Sequence, residues 1–285
     1  MKFAVFTAST PSWTPEEAAT ILAEQGWHGI EWRITDQAEG TSFWAGNKAT
    51  WPLTGLEDQL DRIREVTEKA GLKFSSIGGY VPPTNRVDAD RMLAATAALG
   101  AGRVRIAGLK VEPGTSYSES FAKNREDWKW VEERARHHGV RALVELHHGT
   151  LTPSASAARR LLEGLDPLHV GVIHDIGNMV IEGWEEPEHS LDLLGEYLAH
   201  VHVKNCAFHV AGVEADGTLR WEPKWVPLRE GRADLPALFR ALRAVGYDGW
   251  VTVEDFSDVL PLAERTAGNL DYLTSIARAA GYDPH

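Results

Sequence analysis

Four polar residues, each near the end of an apolar run in the second half of the chain, carry its most distinctive chemistry. They are Glu145 in VELHHG, Asp175 in VIHDIGN, His202 in HVHVKN and Glu254 in VTVEDF. Brought together, three carboxylates and one imidazole repel one another unless a cation sits among them. An oxygen-rich donor set with a single nitrogen suits Mn2+ first, then Mg2+ or Co2+; Zn2+ is a weaker fit because it usually takes more nitrogen or sulfur. Four protein ligands leave about two positions of an octahedron for a bidentate substrate. Singly, each residue has an ordinary reading. Asp175, before Ile176-Gly177-Asn178, is placed to cap a turn, and His202 alternates with His200 as a core histidine would. All four in register at successive strand ends point to a metal site.

Such a site needs a frame, and the chain alternates short apolar runs with amphipathic stretches from end to end. Strands are predicted over 2–8, 28–33, 73–78, 102–107, 140–146, 169–174, 199–204 and 249–254. Helices are predicted over 14–26, 54–71, 87–99, 117–138, 154–164, 188–198, 233–245 and 259–280. Thr14-Pro15-Glu16-Glu17 supplies a cap, a proline for the first turn and acidic residues beside it. Gly71 and Gly139 close two helices. Eight strand–helix units with short, β-branched, doubly buried strands predict one α/β domain over 1–285, a closed (β/α)8 barrel. An open nucleotide-binding sheet is disfavoured, since TASTPSW after the first strand has no phosphate-cradling glycines. In a barrel, the loops after the strands share one face with the reactive groups. Those over 34–53, 79–86 and 205–232 are long and are candidate lids. The last contains VEADGTLRW, where Asp216-Gly217 signals a hairpin.

Hydrophobic content of 43% and charged content of 25% are those of a soluble globular protein. No apolar run approaches the roughly 18 residues that span a bilayer. The N-terminus lacks a long apolar segment and a cleavage site, and reads as a buried strand. Cys206 is the only cysteine, so there is no internal disulfide and a cytoplasmic home is expected. The net charge of −12, without any basic run, disfavours nucleic acid. Among eleven tryptophans, Trp13, Trp44, Trp51, Trp221 and Trp225 fall in expected loops. There they either stack on sugar rings or pack against the barrel rim.

The stretches GIEWR, VELHHG, HDIGN, HVHVKN and PLREGRADLPALFRALRAVGYDGWVTVEDF resemble the xylose-isomerase-like barrels of the sugar isomerase/epimerase superfamily. That superfamily also holds apurinic-site endonucleases, inosose dehydratases and hydroxypyruvate isomerases. The resemblance runs over nearly the whole chain, and its last stretch is the most specific. It implies that Glu145, Asp175, His202 and Glu254 bind one divalent metal, and that Glu145 and Glu254 also serve as acid and base. The implied reaction is isomerisation or epimerisation of a small sugar, keto sugar or cyclitol, by α-proton abstraction through a metal-stabilised enediolate. A lyase or dehydratase acting on a keto-inositol or keto-glycoside is the alternative. A non-catalytic sugar-binding barrel is a third reading, against which the acid–base pair weighs. The expected partner is the small-molecule substrate, with no nucleic acid or membrane; a homo-oligomer is left open.

Further substrate contacts are expected from Glu31, His147, His148, Asn178, Lys204 and His209. Lys204 is placed to neutralise an oxyanion or act as an extra base. Arg105 is read as an ion-pair partner, His174 as packing away from the mouth and Cys206 as inert. The resemblance has departures. Ketose 3-epimerases carry a histidine where Asn178 stands, a glutamate at the position of Leu151, and an arginine near Phe208 and His209. Their substrate-fixing set is therefore not reproduced. The three-metal cluster of the endonucleases needs histidines on the early strands, which end here without any.

Overall fold

The computed structural model describes residues 1–37 and 45–283. In chain order the elements are β1 (Lys2–Phe6), α1 (Pro15–Glu24), β2 (Gly29–Ile34), β3 (Thr50–Trp51), α2 (Leu60–Lys69), β4 (Lys73–Gly79), α3 (Arg86–Leu99) and β5 (Arg103–Ile106). There follow α4 (Tyr117–His138), β6 (Arg141–Glu145), α5 (Ala155–Leu162), β7 (Val170–Asp175), α6 (Ile176–Ile181), α7 (Pro187–Leu194) and β8 (Leu198–Val203). The chain ends with β9 (Asn205–Val213), β10 (Leu219–Val226), α8 (Leu235–Ala244), β11 (Trp250–Val253) and α9 (Leu262–Ala279).

The strands form because their runs can be buried on both faces: β2 and β7 are buried at every position. Eight of them pair in parallel in the order β1-β11-β8-β7-β6-β5-β4-β2, and the β1–β2 pairing closes the ring. This is the expected (β/α)8 barrel. The helices start where sequence chemistry starts them. Thr14 and Glu17 make a reciprocal capping box on α1, and Ser116 and Glu119 do the same on α4. Gly100 and Gly139 end α3 and α4 in the left-handed region that favours glycine.

Between strands and helices lies a continuous apolar core that includes Trp32, Trp128, Leu22 and Phe239. Inside the ring the filling is different. Contacts between strands that are not neighbours must cross the interior, and several of these are polar. Ser75 of β4 meets Thr252 of β11, and Glu31 of β2 meets His200 of β8. Side chains that hydrogen-bond across the centre share the interior with apolar ones such as Phe6, where branched apolar layers are usual in such barrels.

Several boundaries differ from expectation. The first strand stops at Phe6 and a 3-10 turn over Thr7–Ser9 follows. The helix expected at 188–198 ends at Leu194, because Gly195 opens a 3-10 turn leading into β8. Where a turn was expected after Asp175, the short α6 forms, capped by Asp175 directly from the end of β7. The 205–232 segment is largely the β9–β10 hairpin, turning at Asp216-Gly217 as expected. Of the 34–53 loop, β3 adds a short strand beside β2, while residues 38–44, with Trp44, lie outside the described residues. The other tryptophans divide. Trp13 and Trp51 pack on the core, Trp221 is 55% exposed on the hairpin, and Trp225 faces the barrel mouth. Among the described residues, no helix is long and apolar enough to cross a membrane.

Candidate metal centre

Parallel register puts the carboxyl ends of β6, β7, β8 and β11 side by side, so Glu145, Asp175, His202 and Glu254 converge. One ligand atom from each lies within 4.8 Å of all the others. His202 Nδ1 is 3.2 Å from Glu145 Oε1, 3.5 Å from Glu254 Oε1 and 3.9 Å from Asp175 Oδ2. Ligands about 2.1 Å from a central ion stand roughly 3–4 Å apart, so this spacing fits one divalent cation. The capping role foreseen for Asp175 and its place in the cluster coexist on its two oxygens. Oδ1 accepts the Asn178 N–H at 2.9 Å, and Oδ2 faces the cluster.

The charges are arranged around this point. Arg105 Nη1 donates to Glu145 Oε2 at 2.7 Å, and the Lys204 ammonium donates to both Asp175 and Glu254. With Glu31 behind His202, four buried carboxylates gather around one imidazole and the side chains of Arg105 and Lys204. A buried cluster this rich in carboxylates is one that a cation stabilises. Burial opposes ionisation of Glu145, but Arg105, His202 and Lys204 outweigh it and hold its carboxyl well below the usual range. Asp175 goes the other way, since burial together with Glu145 and Glu254 outweighs Lys204 and pushes its pKa up. Burial disfavours a charged His202, yet Glu31, Glu254 and Glu145 raise its pKa well above normal. A metal taking Nδ1 must therefore displace a proton.

Above the cluster opens a cavity of about 520 Å³. Glu145, Glu254 and Lys204 are at its base, with Arg33, Tyr80, Arg105, His147, His148, Asn178, Trp225 and Phe256 completing the lining. Asp175 and His202 lie beneath, fully buried. Both candidate histidines after β6 reach the cavity. His147 Nδ1 donates to the His148 carbonyl at 2.7 Å, and His148 Nδ1 lies 3.1 Å from Asn178 Oδ1. Asn178 Nδ2 donates to Leu146 O, which turns its Oδ1 toward His148. Burial and the neighbouring His147 lower the pKa of His148.

Two expected substrate contacts are placed elsewhere. Glu31 is 0% exposed and hydrogen-bonds the rear of His202, because it points into the middle of the barrel rather than to its rim. His209 sits on the exposed face of β9 opposite Glu222, outside the cavity lining. Arg105 makes its ion pair as expected. His174 faces outward to Ser190, while Leu151 and Cys206 are buried. Sequence reasoning missed Tyr80, Arg33 and Phe256. Tyr80 follows Gly78-Gly79, where added Cβ atoms would strike Phe6 and Arg105. That glycine pair was the available sign of close packing at the mouth.

The model of the xylose isomerase-like TIM barrel family matches residues 19–276. The chain belongs to this family. An inosose dehydratase of Geobacillus thermodenitrificans (strain NG80-2) is 30% identical over 126 residues. The match covers 42% of each chain, so it spans less than half of that relative. Among solved structures, an IolI protein with a bound zinc atom superposes with a TM-score of 0.76 at 17% identity, covering 99% of this chain and 100% of that one. The 3-keto-D-glucoside 4-epimerase of E. coli gives 0.72 at 18% identity, covering 96% and 99%. At these identities the likeness is one of fold.

Proposed function

We propose that this barrel, residues 1–285 as one domain, is a divalent-metal-dependent isomerase or epimerase of a small sugar, keto sugar or cyclitol. The observation carrying the proposal is the meeting of Glu145 and Glu254 with Asp175 and His202 at the base of a cavity of about 520 Å³. Those four residues would hold the ion. Its oxygen-rich environment favours Mn2+, with Mg2+, Co2+ and Zn2+ as alternatives. When bound, the ion supplies Lewis acidity for a carbonyl and its neighbouring hydroxyl.

The remaining chemistry belongs to the chain. Arg105 keeps Glu145 ionised, so its carboxylate is ready to accept an α-proton. Glu254, just past the end of β11, would return a proton to the carbon after taking one from Lys204, whose ammonium already donates to it. Trp225, Phe256 and Tyr80 give the cavity apolar walls that exclude water, and His148 and Asn178 offer hydrogen bonds to substrate hydroxyls. The acidic chain and its small cavity favour a small-molecule substrate over a nucleic acid.

A dehydratase is the second reading, favoured by one observation. Lys204 lines the same cavity as the carboxylate pair, where its ammonium can protonate a leaving hydroxyl, with His147 and His148 beside it to accept hydrogen bonds from substrate. The inosose dehydratase match accords with it. Both reactions begin with loss of an α-proton. Incubation with Mn2+ and a panel of keto sugars and inososes in D2O separates them: deuterium gain without loss of water marks an isomerase or epimerase, and loss of water marks a dehydratase. Absence of exchange with every substrate would overturn both and leave a binding module.

A further inference from the structure

Glu31 lies on the side of His202 away from the cluster. Its Oε2 is 3.1 Å from His202 Nε2 and 3.0 Å from His200 Nε2, and all three side chains are fully buried. β2 and β8 are not neighbours in the barrel, so this contact crosses its centre. His202 Nδ1, at the opposite corner of the same ring, faces Glu145, Asp175 and Glu254. Phe6 packs against the ring with centroids 5.9 Å apart, which limits its rotation. His200 Nε2 also lies 2.9 Å from Thr252 Oγ1, so His200 is tied to two partners and holds Glu31 in turn.

Among the described residues, Glu31 Oε1 has no hydrogen-bond partner. A carboxylate buried with one oxygen unpaired is costly. An amide or an apolar residue would fill the barrel centre at lower cost, so packing does not explain a charge there.

We propose that Glu31 is a positioning residue for the metal centre: by accepting the Nε2 proton of His202, it leaves the Nδ1 lone pair aimed at the cation. The inference rests on the metal reading above and assigns Glu31 a place behind a ligand rather than against substrate. A ring carrying its proton on Nδ1 would present a donor to the cluster and could not ligate there. A carboxylate behind the imidazole also makes the ligand nitrogen more basic, and loss of such a partner typically weakens metal binding by about 10–100-fold.

The test uses the full chain as wild type, Glu31→Gln and Glu31→Leu, with Mn2+ for affinity and 113Cd2+ as a diamagnetic probe. Gln keeps an acceptor oxygen but no charge; Leu removes both. Mn2+ affinity, measured by competition with a chelator, is expected to fall about 10-fold in Glu31→Gln and about 100-fold in Glu31→Leu. In wild type, the 113Cd–15N coupling should fall on His202 Nδ1 with Nε2 protonated. In Glu31→Leu that coupling should vanish or move to Nε2. A purely structural role would leave the coupling pattern unchanged in every variant that folds. Glu31→Gln, nearly isosteric, keeps the test decisive if Glu31→Leu does not fold. Unchanged affinity and coupling in the variants would overturn this inference while the metal reading stands. Failure of wild type to bind Mn2+ or 113Cd2+ would overturn both.

Discussion

Lys204 Nζ lies 2.7 Å from Asp175 Oδ2, with both side chains shut away from solvent, and the same ammonium reaches Glu254. A divalent ion and this lysine therefore answer the same negative charge from adjacent positions. Lys204→Met keeps the apolar stem and removes the cation. In chelator-treated protein this leaves buried carboxylates without their partner, a loss of about 3–5 kcal/mol. Mn2+ should recover much of it, so the metal-induced rise in Tm should be larger in Lys204→Met than in wild type. Thermal melts with chelator and with Mn2+ check this; equal rises in the two proteins would show that charge is not shared.

Removing a ligand oxygen should act on the ion first. Asp175→Asn and Glu145→Gln each keep shape and lose a charge from the four-residue cluster. Metal content should fall from about one ion per chain toward none, as read by elemental analysis. Turnover should fall on the order of 1000-fold or more, since the ion supplies several kcal/mol of transition-state stabilisation. Full metal content in both variants would remove the ligand assignment.

The turn after β7 is packed against Lys204, and that makes Gly177 a structural control. A Cβ there would lie 2.3 Å from Lys204 Cγ and 2.6 Å from its carbonyl oxygen. The second contact is with backbone, which cannot swing aside. Gly177→Ala should cost about 1–3 kcal/mol by overpacking and should lower metal affinity by shifting Asp175, which caps the same short helix. Denaturant unfolding and Mn2+ titration measure the two effects.

Most of the barrel was legible in the sequence because its strands are buried on both faces and read as apolar runs, with caps and glycines at the ends of the helices. The cluster was legible for the same reason, as Glu145, Asp175, His202 and Glu254 each stand near the end of such a run. Glu31 was legible as a polar residue on β2 but not in its role. Its partner His202 is 171 positions away, and only barrel closure brings them together. His209 shows the reverse error. Its place in the loop suggested reach, but the middle of β9, from Phe208 to Val210, stands in solvent, and His209 there pairs opposite Glu222. The short α6 escaped because a six-residue helix capped by a candidate ligand has the same residues as a turn.

His174 links the fold to acid stability. Its Nε2 donates to Ser190 Oγ, whose own hydroxyl donates to Pro187 O, and burial lowers the His174 pKa to about 4. In the unfolded chain its pKa is about 6.5. Between these values the unfolded state takes up a proton that the native state refuses, so stability falls as pH drops from about 6.5 toward 4. The loss for this residue is about 3 kcal/mol over that window. His174→Gln keeps the hydrogen bond without the titration, and should lose distinctly less stability between pH 7 and 4.5. Chelator-treated melts across that range isolate the effect from metal release. His200, also held near 4 by burial, keeps its share in both proteins.

Asn178 tests whether the histidines above the metal cluster are aimed. Its Oδ1 receives His148 Nδ1 at 3.1 Å while its Nδ2 is anchored on Leu146 O at 3.1 Å. His148 therefore has its Nδ1 proton engaged and its Nε2 available as an acceptor. Asn178→Leu keeps the branched outline, though bulkier, and removes both hydrogen bonds, yet Asp175 still caps α6 through the backbone N–H of residue 178. Metal content should stay near that of wild type. On a substrate found in the D2O panel, kcat/KM should fall about 10-fold, or ~1.4 kcal/mol, because His148 loses its fixed orientation. A loss of metal matching the loss of turnover would place Asn178 in support of Asp175 rather than of His148.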